Sequence, residues 1–424
     1  MSAIDLLLDT IPLPRMVRVR QSFDRPVIND PETELLRSLR VRSMLDNIRK
    51  GMRIAITVGS RGITNQPLIV RTLIKELMAG GAKPFIIPAM GSHGGATAEG
   101  QKRMLAGMGF TEETMGVPIR ATMETVVIGT SANGLPVHID KDAAEADGIV
   151  IVNRIKPHVA FRGPYESGIM KMLAIGLGKQ KGADICHELG FGRMAENIPA
   201  IGKVTLSSGR VLFSVGILEN AYHETCKIEV LRPEEVESRE PELLEEAKKL
   251  APRLHVDRLD VLIIDEIGKD ISGTGFDTNV VGRYHTPYIS GGPSITRIVV
   301  LDITDVSHGN ANGLGIVDFT TRRAFNKFDF ENTYPNSLTS TVPTSVKIPM
   351  VLKNDRQAIQ AAVKTCNILD KRNVRMVRIK NTLNLGEIEV SENLLEELRS
   401  NPYIHEDPSF VPTDFSFDKE GNLL

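Results

Sequence analysis

The chain has 424 residues, 41% of them hydrophobic and 25% charged, which is ordinary for a globular protein and more than one core usually holds. Its 51 Lys and Arg against 53 Asp and Glu leave a formal charge of -2, with no basic block of the kind that neutralises nucleic-acid phosphates. These figures argue against a disordered chain, a fibre and a nucleic-acid partner. Residues 1–20 lack a secretion-signal pattern, and no apolar run is long enough to span a membrane. Three cysteines, Cys186, Cys226 and Cys366, make neither a disulfide framework nor a CxxC pair. The expectation is a reduced, cytoplasmic α/β protein with no membrane partner.

Residues 52–58 (MRIAITV) read as a strand ending in Gly59-Ser60-Arg61-Gly62. Residues 67–79 carry Leu68, Val70, Leu73, Ile74 and Leu77 at helical spacing and stop at Gly80-Gly81. Residues 84–88 form the next strand, which ends in Gly91-Ser92-His93-Gly94-Gly95, and a helix follows over 97–107. Strand, helix and strand in this order make a βαβ unit, which calls for a parallel sheet with right-handed crossovers. Residues 148–153 (GIVIVN) are another apolar strand, closing just before Arg154 and the turn Lys156-Pro157-His158. Residues 231–254 are helical and charged. A second αβ series opens at 261–265 (VLIID), runs through a glycine-rich stretch at 268–282 and a strand at 298–303, and reaches a helix over 356–367. The sequence thus predicts two α/β domains with mostly parallel sheets, residues 1–255 and 256–400, and an active site in the interdomain cleft. The charged helix is the expected connector. The tail, 401–424, is expected to pack back on the first domain.

Open parallel sheets bind ligands beyond the carboxyl ends of their strands, and three such ends here carry polar residues that a turn does not need. At the first, the glycines and Arg61 ahead of a helix N-terminus suit a phosphate or carboxylate. The plainer alternative is a turn whose Thr64 or Asn65 caps the helix. At the second, His93 lies among glycines with no apolar face to pack on. At the third, Pro157 stiffens the turn that carries His158. Two histidines on neighbouring strand ends fit a general acid and a general base, or equally two metal ligands. Lys171 stands in an apolar stretch, Ile169-Met170-Lys171-Met172-Leu173, where an ammonium is costly unless paired or chemically used. A lysine with a depressed pKa can bond covalently to a cofactor; a snorkelling helix lysine is the bland alternative. His187, beside Cys186, follows Lys171 by sixteen residues.

Taken in order, Gly-Ser-His-Gly, Lys-Pro-His, Ser-Gly-x-x-Lys and a histidine sixteen residues later resemble the nickel-dependent lactate racemase family, which includes other 2-hydroxyacid racemases and epimerases. The resemblance runs over residues 50–300. It implies a nickel-pincer nucleotide, a pyridinium mononucleotide whose two thio-acid arms and ring carbon hold nickel, covalently bound to Lys171 as a thioamide. It further implies His187 as the fourth ligand of a square-planar site, a geometry suited to Ni(II). By the same resemblance His93 and His158 are the acid/base pair. Arg61, in a turn with Ser60 and Gly62, would lie near cofactor phosphate or substrate carboxylate. The implied activity is inversion at C2 of a small 2-hydroxy acid by hydride transfer coupled to proton transfer, with cofactor-synthesising enzymes as partners.

The chain departs from the family pattern in places. The stretch between His158 and Lys171 is longer and contains Arg162, Tyr165 and Glu166, which are expected to shape specificity. There is no tryptophan. The glutamine–lysine pair that contacts substrate in the second domain is not matched; Asn279 and Arg283 stand at a comparable distance. Arg283 is expected to hold the substrate carboxylate through parallel hydrogen bonds, with Arg61 next in line and pairing to an acid such as Asp277 as the plain alternative. Two other classes compete. One is an anion- or sugar-acid-binding protein of the same fold without nickel chemistry, with Lys171 in an ion pair. The other is a zinc hydrolase using His93, His158 and His187, although no local HxxxH pair speaks for it.

Overall fold

Two apolar sheets organise the chain into two units, one of Asp24–Ala251 and one of Met1–Phe23 with Pro252–Leu424. The computed structural model describes residues 2–424. The first strand, β1 (Met16–Gln21), buries Val17 and Val19 and exposes Arg18 and Arg20, the alternation of a strand with one wet face. It belongs to the second of these units.

In Asp24–Ala251 the expected βαβ unit is present: β2 (Arg53–Val58), the helix Gln66–Ala79, then β3 (Lys83–Pro88). A separate antiparallel pair follows, β4 (Thr125–Thr130) with β5 (Pro136–Asp140). After β6 (Gly148–Arg154) come β7 (Val211–Glu219) and β8 (Thr225–Leu231). The sheet order is β3-β2-β6-β7-β8, with every pairing parallel except β7 with β8. Ile54, Ile56 and Val58 of β2 pack with Ile69, Leu73 and Leu77 of the helix and with Val150 and Val152 of β6. Gly148 permits this closeness: a Cβ there would lie 2.4 Å from Leu212 Cδ1.

The charged segment expected to connect the domains is a helix, Pro233–Leu250, that packs within this unit. Its Val236, Glu240, Leu243, Leu244 and Ala247 are all buried. Those positions recur at helical spacing, so the segment presents a stripe to the protein and its charges to water.

The second unit holds an eight-stranded sheet. Its strands are β9 (Arg258–Ile267), β10 (Ser294–Ile303), β11 (Phe319–Thr321), β12 (Met350–Leu352), β13 (Met376–Ile379), β14 (Glu387–Ser391) and β15 (Ile404–Glu406), together with β1. The order is β12-β11-β10-β9-β13-β14-β1-β15. The pairings from β12 to β13 are parallel and the remaining three antiparallel. The molecule is therefore α/β with mixed, mostly parallel sheets.

Two expectations about the ends of the chain differ from this arrangement. Residues 1–23 lie with the C-terminal unit, because β1 pairs with β14 and its valines join that sheet's core. The tail lies there too. β15 adds to β1, Thr413 bridges to Met16, and the Arg356 and Leu423 amides bond to Gly421 O and Asp355 Oδ2 at 2.9 Å each.

Replacing Val19 with Asp would place a lone carboxylate in that core, at a cost of several kcal/mol. Hydrogen exchange should then show lost protection in β14 and β15, while β2 and β6 keep theirs. Equal loss in β2 and β6 would contradict the assignment of β1 to the C-terminal unit.

Candidate active site

Adjacent parallel strands β3, β2 and β6 open their carboxyl ends on one edge of the sheet, where ligands of such sheets bind. At the end of β2, Gly59 lies against the Lys171 segment: its Cβ position is 3.3 Å from Met172 Cε. Neither Thr64 nor Asn65 caps the following helix. The Thr64 amide and hydroxyl bond to Glu219 and His223, and Asn65 donates to Thr225 Oγ1 at 3.1 Å. Arg61 is half-buried and makes no ion pair among the described residues; its one bond, to Ser60 O, is long at 3.4 Å. Burial and then the neighbouring Arg154 lower its pKa. Arg154 itself is paired with Glu219. The turn thus presents one desolvated guanidinium in want of an anion, with Gly62 exposed beside it.

The loop after β3 is fixed from below. His93 Nδ1–H donates to Met90 O at 2.8 Å, and Gln101 Nε2 donates to Gly91 O at 3.0 Å and His93 O at 3.2 Å. Gly94 has φ +68°, and a Cβ there would sit 2.7 Å from Gln101 N, so this position needs glycine. Gln101 Oε1 in turn faces Lys179 Nζ at 3.3 Å, and Lys179 pairs with Asp140 at 2.8 Å with both side chains fully buried. Burial opposes both charges, raising the Asp140 carboxyl and lowering the Lys179 ammonium, while their attraction works the other way.

Beyond β6, the Ala160 amide donates to His158 Nδ1 at 3.1 Å, and the ring stacks on Phe161 at 4.5 Å. Glu166, buried, accepts the His158 amide at 2.7 Å and pairs with Arg162 at 3.2 Å and Lys248 at 3.0 Å. Arg162 also donates to His158 O at 2.9 Å, and Tyr165 donates to Glu237 O at 2.6 Å. The extra residues expected to shape specificity are therefore engaged in bracing the His158 loop against the helix Pro233–Leu250.

Lys171 closes a short helix, Ile169–Lys171, that runs into a π-helical turn, Met172–Gly176, a feature frequent at functional sites. Asn153 donates to Gly168 O at 2.7 Å, and the buried Glu240 accepts the Met170 amide at 2.9 Å. Burial pushes the Glu240 carboxyl up to about 8, against the pull of the Met170 and Ile169 amides. Lys171 makes no hydrogen bond or ion pair among the described residues. Burial first, then Lys156 and Arg61, bring its ammonium down to about 8.

His187 ends the helix Lys179–His187 and donates from Nδ1 to Ala183 O at 2.7 Å. Burial lowers its pKa, the Ala183 bond opposes this, and Lys171 lowers it further. A neutral ring with its hydrogen on Nδ1 keeps a lone pair at Nε2, the form in which histidine binds metals. Cys186 is a poor metal ligand by comparison. Its thiol lies 3.7 Å from Met194 Sδ, and burial pushes its pKa to about 12.

Lys156 and Arg61 thus act on the protonation of Lys171, and Lys171 on that of His187. Among the described residues no group of three or more His, Cys, Asp or Glu side chains is gathered to hold a metal ion, which speaks against a three-histidine zinc site. Arg283 and Asn279 belong to the C-terminal unit and are engaged there. Arg283 pairs with Asp318, not Asp277, and donates to Ile295 O and Thr296 O at 3.0 and 3.1 Å, at the amino end of β10. Asn279 Nδ2 donates to Asp277 Oδ1 at 2.9 Å. The Arg283 guanidinium is thus engaged by Asp318 and two backbone carbonyls.

Sequence reasoning missed Glu240, Glu166 as a clamp, and the Lys179–Asp140 pair. Glu240 had a signal: it occupies the buried stripe of its helix, four residues after Val236 and three before Leu243. The other two arise from chain segments that only folding brings together.

Residues 10–197 match the family model described as the lactate racemase N-terminal domain. No curated protein matches the chain. Among solved structures, the lactate racemase apoprotein from Thermoanaerobacterium thermosaccharolyticum is similar, with TM-score 0.53 and 15% identity over 87% of this chain and 99% of that one. At that identity the likeness is one of fold.

Lys179→Met should cost about 3–5 kcal/mol, because it strands a buried carboxylate; adding Asp140→Leu should recover part of the loss, read by denaturant unfolding. Glu240 has a folded pKa above its ordinary value, so its contribution to stability is full at low pH and declines as pH rises from about 5 to 8. Glu240→Gln should therefore gain in Tm relative to the parent over that window. A Tm difference that does not vary with pH would contradict the shifted carboxyl.

Proposed function

We propose that the protein, whose residues 10–197 match the family model described as the lactate racemase N-terminal domain, inverts the C2 stereocentre of a small 2-hydroxy acid, using a nickel-pincer nucleotide tethered to Lys171. The observation that carries this reading is the Lys171 amine: set where the helix Ile169–Lys171 meets a π-helical turn, without a hydrogen bond or ion pair among the described residues, and with its ammonium brought down to about 8 by burial and by Lys156 and Arg61. A lysine of this kind is a competent nucleophile at pH 7.

The surrounding residues fit the group. Lys171 would form the amide-type bond to one thio-acid arm. His187, with Nδ1–H given to Ala183 O, would offer Nε2 to nickel. A chelate that brings its own donors needs only one protein ligand, which suits a site without a three-residue metal cluster. When bound, the nucleotide would accept the C2 hydrogen with its electron pair, which avoids a carbanion beside a carboxylate.

The chain's own work is binding and proton transfer. Arg61 and Lys156 would hold an anionic group, either the nucleotide phosphate or the substrate carboxylate. His93 and His158 would handle the hydroxyl proton, from loops that Gln101 and Glu166 keep rigid. Placing these groups on braced strand ends keeps the reacting atoms aligned.

Co-expression with cofactor-synthesising enzymes, followed by intact-protein mass and metal analysis, should reveal an adduct on Lys171 carrying nickel. Chiral analysis over a panel of 2-hydroxy acids should then show interconversion. The bare chain mass after co-expression would favour the anion-binding alternative. His93→Ala should lose activity by about 10²–10⁴-fold while keeping the adduct. His187→Ala should keep the adduct on Lys171 but surrender nickel on dialysis against a chelator; retention of nickel at the parent level would remove His187 from the metal.

A further inference from the structure

A single side chain, that of Glu219, ties the carboxyl ends of three strands together. Glu219 closes β7, and its side chain is 6% exposed. Its Oε1 accepts the Thr64 amide at 2.7 Å, in the turn that follows β2, and its Oε2 pairs with Arg154, the last residue of β6. The same turn is held again from the start of β8: Asn65 donates to Thr225 Oγ1 at 3.1 Å, and the Thr225 hydroxyl donates to Thr64 O at 2.9 Å. Arg61 stands in this clamped turn, ahead of Thr64.

Holding the Thr64 amide needs only an acceptor, which an amide oxygen would supply. The negative charge of Glu219 answers a different need, and that need is Arg154. Strands β2 and β6 are adjacent and parallel, and Arg154 is near enough to Arg61 to weaken its hold on its proton, second only to burial. Lys171 already feels both Arg61 and Lys156. Left uncancelled, Arg154 would add a second guanidinium beside Arg61, the kind of arrangement that holds phosphate. With Glu219 on Arg154, Arg61 is the one of the two arginines without an ion pair among the described residues.

We infer that Glu219 is a specificity-determining residue of this strand-end site: it fixes the Arg61 turn and cancels Arg154, so that the site favours singly charged carboxylates over doubly charged phosphates. The inference rests on the proposed reading of Arg61 as a group that holds an anion, and adds the charge which that anion carries. Coulomb attraction scales with the product of the charges, so a freed guanidinium draws a dianion about twice as strongly as a monoanion. Cancelling Arg154 therefore penalises phosphate more than carboxylate.

Calorimetric titration of the full chain without a bound nucleotide tests this. The probes are inorganic phosphate and glycolate, at a pH where phosphate carries two charges and glycolate one. Glu219→Gln keeps an acceptor for the Thr64 amide and frees Arg154. Phosphate affinity should rise by about tenfold, and glycolate affinity by less. A gain cannot come from a loosened turn, which would weaken both. Adding Arg154→Met should return both affinities to the parent values. This double variant strands no charge, so it reports even where the single variant fails to fold: phosphate affinity well below the parent's would mean that Arg154 binds the anion despite its pair, and would overturn the inference. Unchanged or weaker phosphate binding in Glu219→Gln, or an equal gain for both anions, would overturn it as well. The anion series is read without catalysis, so a loaded parent enzyme that interconverts no 2-hydroxy acid would overturn the proposed activity alone.

Discussion

A partly buried lysine amine with no ion-pair partner among the described residues is the constraint on which the site depends. Burying an ammonium without a partner is costly, and the folded protein meets that cost by lowering the affinity of Lys171 for its proton. The like charges of Lys156 and Arg61 press the same way. A fold that needed only a solvated lysine would not keep two further cations near it. What the arrangement provides is a nucleophile: with a pKa of about 8, roughly one amine in ten is neutral at pH 7, against about one in a few thousand for an ordinary lysine.

Such a group must be held still, and buried carboxylates from distant parts of the unit do so. Glu240 holds the start of the Lys171 helix. Glu166 holds the His158 loop and is balanced by Arg162 and Lys248. Asp140 holds Lys179, which carries Gln101 and, through it, the His93 loop. Two of these braces involve the single helix Pro233–Leu250. Glu240 holds the lysine segment and Lys248 pairs with the glutamate that holds the histidine loop.

The strands and helices were legible in the sequence where apolar spacing was strong. The β2–helix–β3 unit, β6, β9 and β10 all lie where alternation and helical period put them, because their side chains bury on one or both faces. The positions of His93 and His158 in loops after strands were legible for the same reason, whereas the helix ends that carry Lys171 and His187 were not marked by any cap signal. Residues 1–23 and the tail were not, since pairing of β1 with β14 joins residues more than 350 apart in the chain. The ion-pair partner of Arg283 was not legible either: residue order suggested an acid such as Asp277, but only the fold reveals Asp318 beside it. Glu240 was within reach, because a glutamate on a buried helical stripe needs an explanation that a solvated one does not.

The most direct measurement is the titration of Lys171 itself in the protein without a bound nucleotide. The rate of acylation of Lys171 by a small amine-reactive reagent, followed by peptide mass spectrometry from pH 6 to 11, reports the neutral amine. The account expects the rate to rise with a midpoint near pH 8. A midpoint at the ordinary lysine value of about 10.4 would mean a solvated side chain and would contradict the account at its foundation.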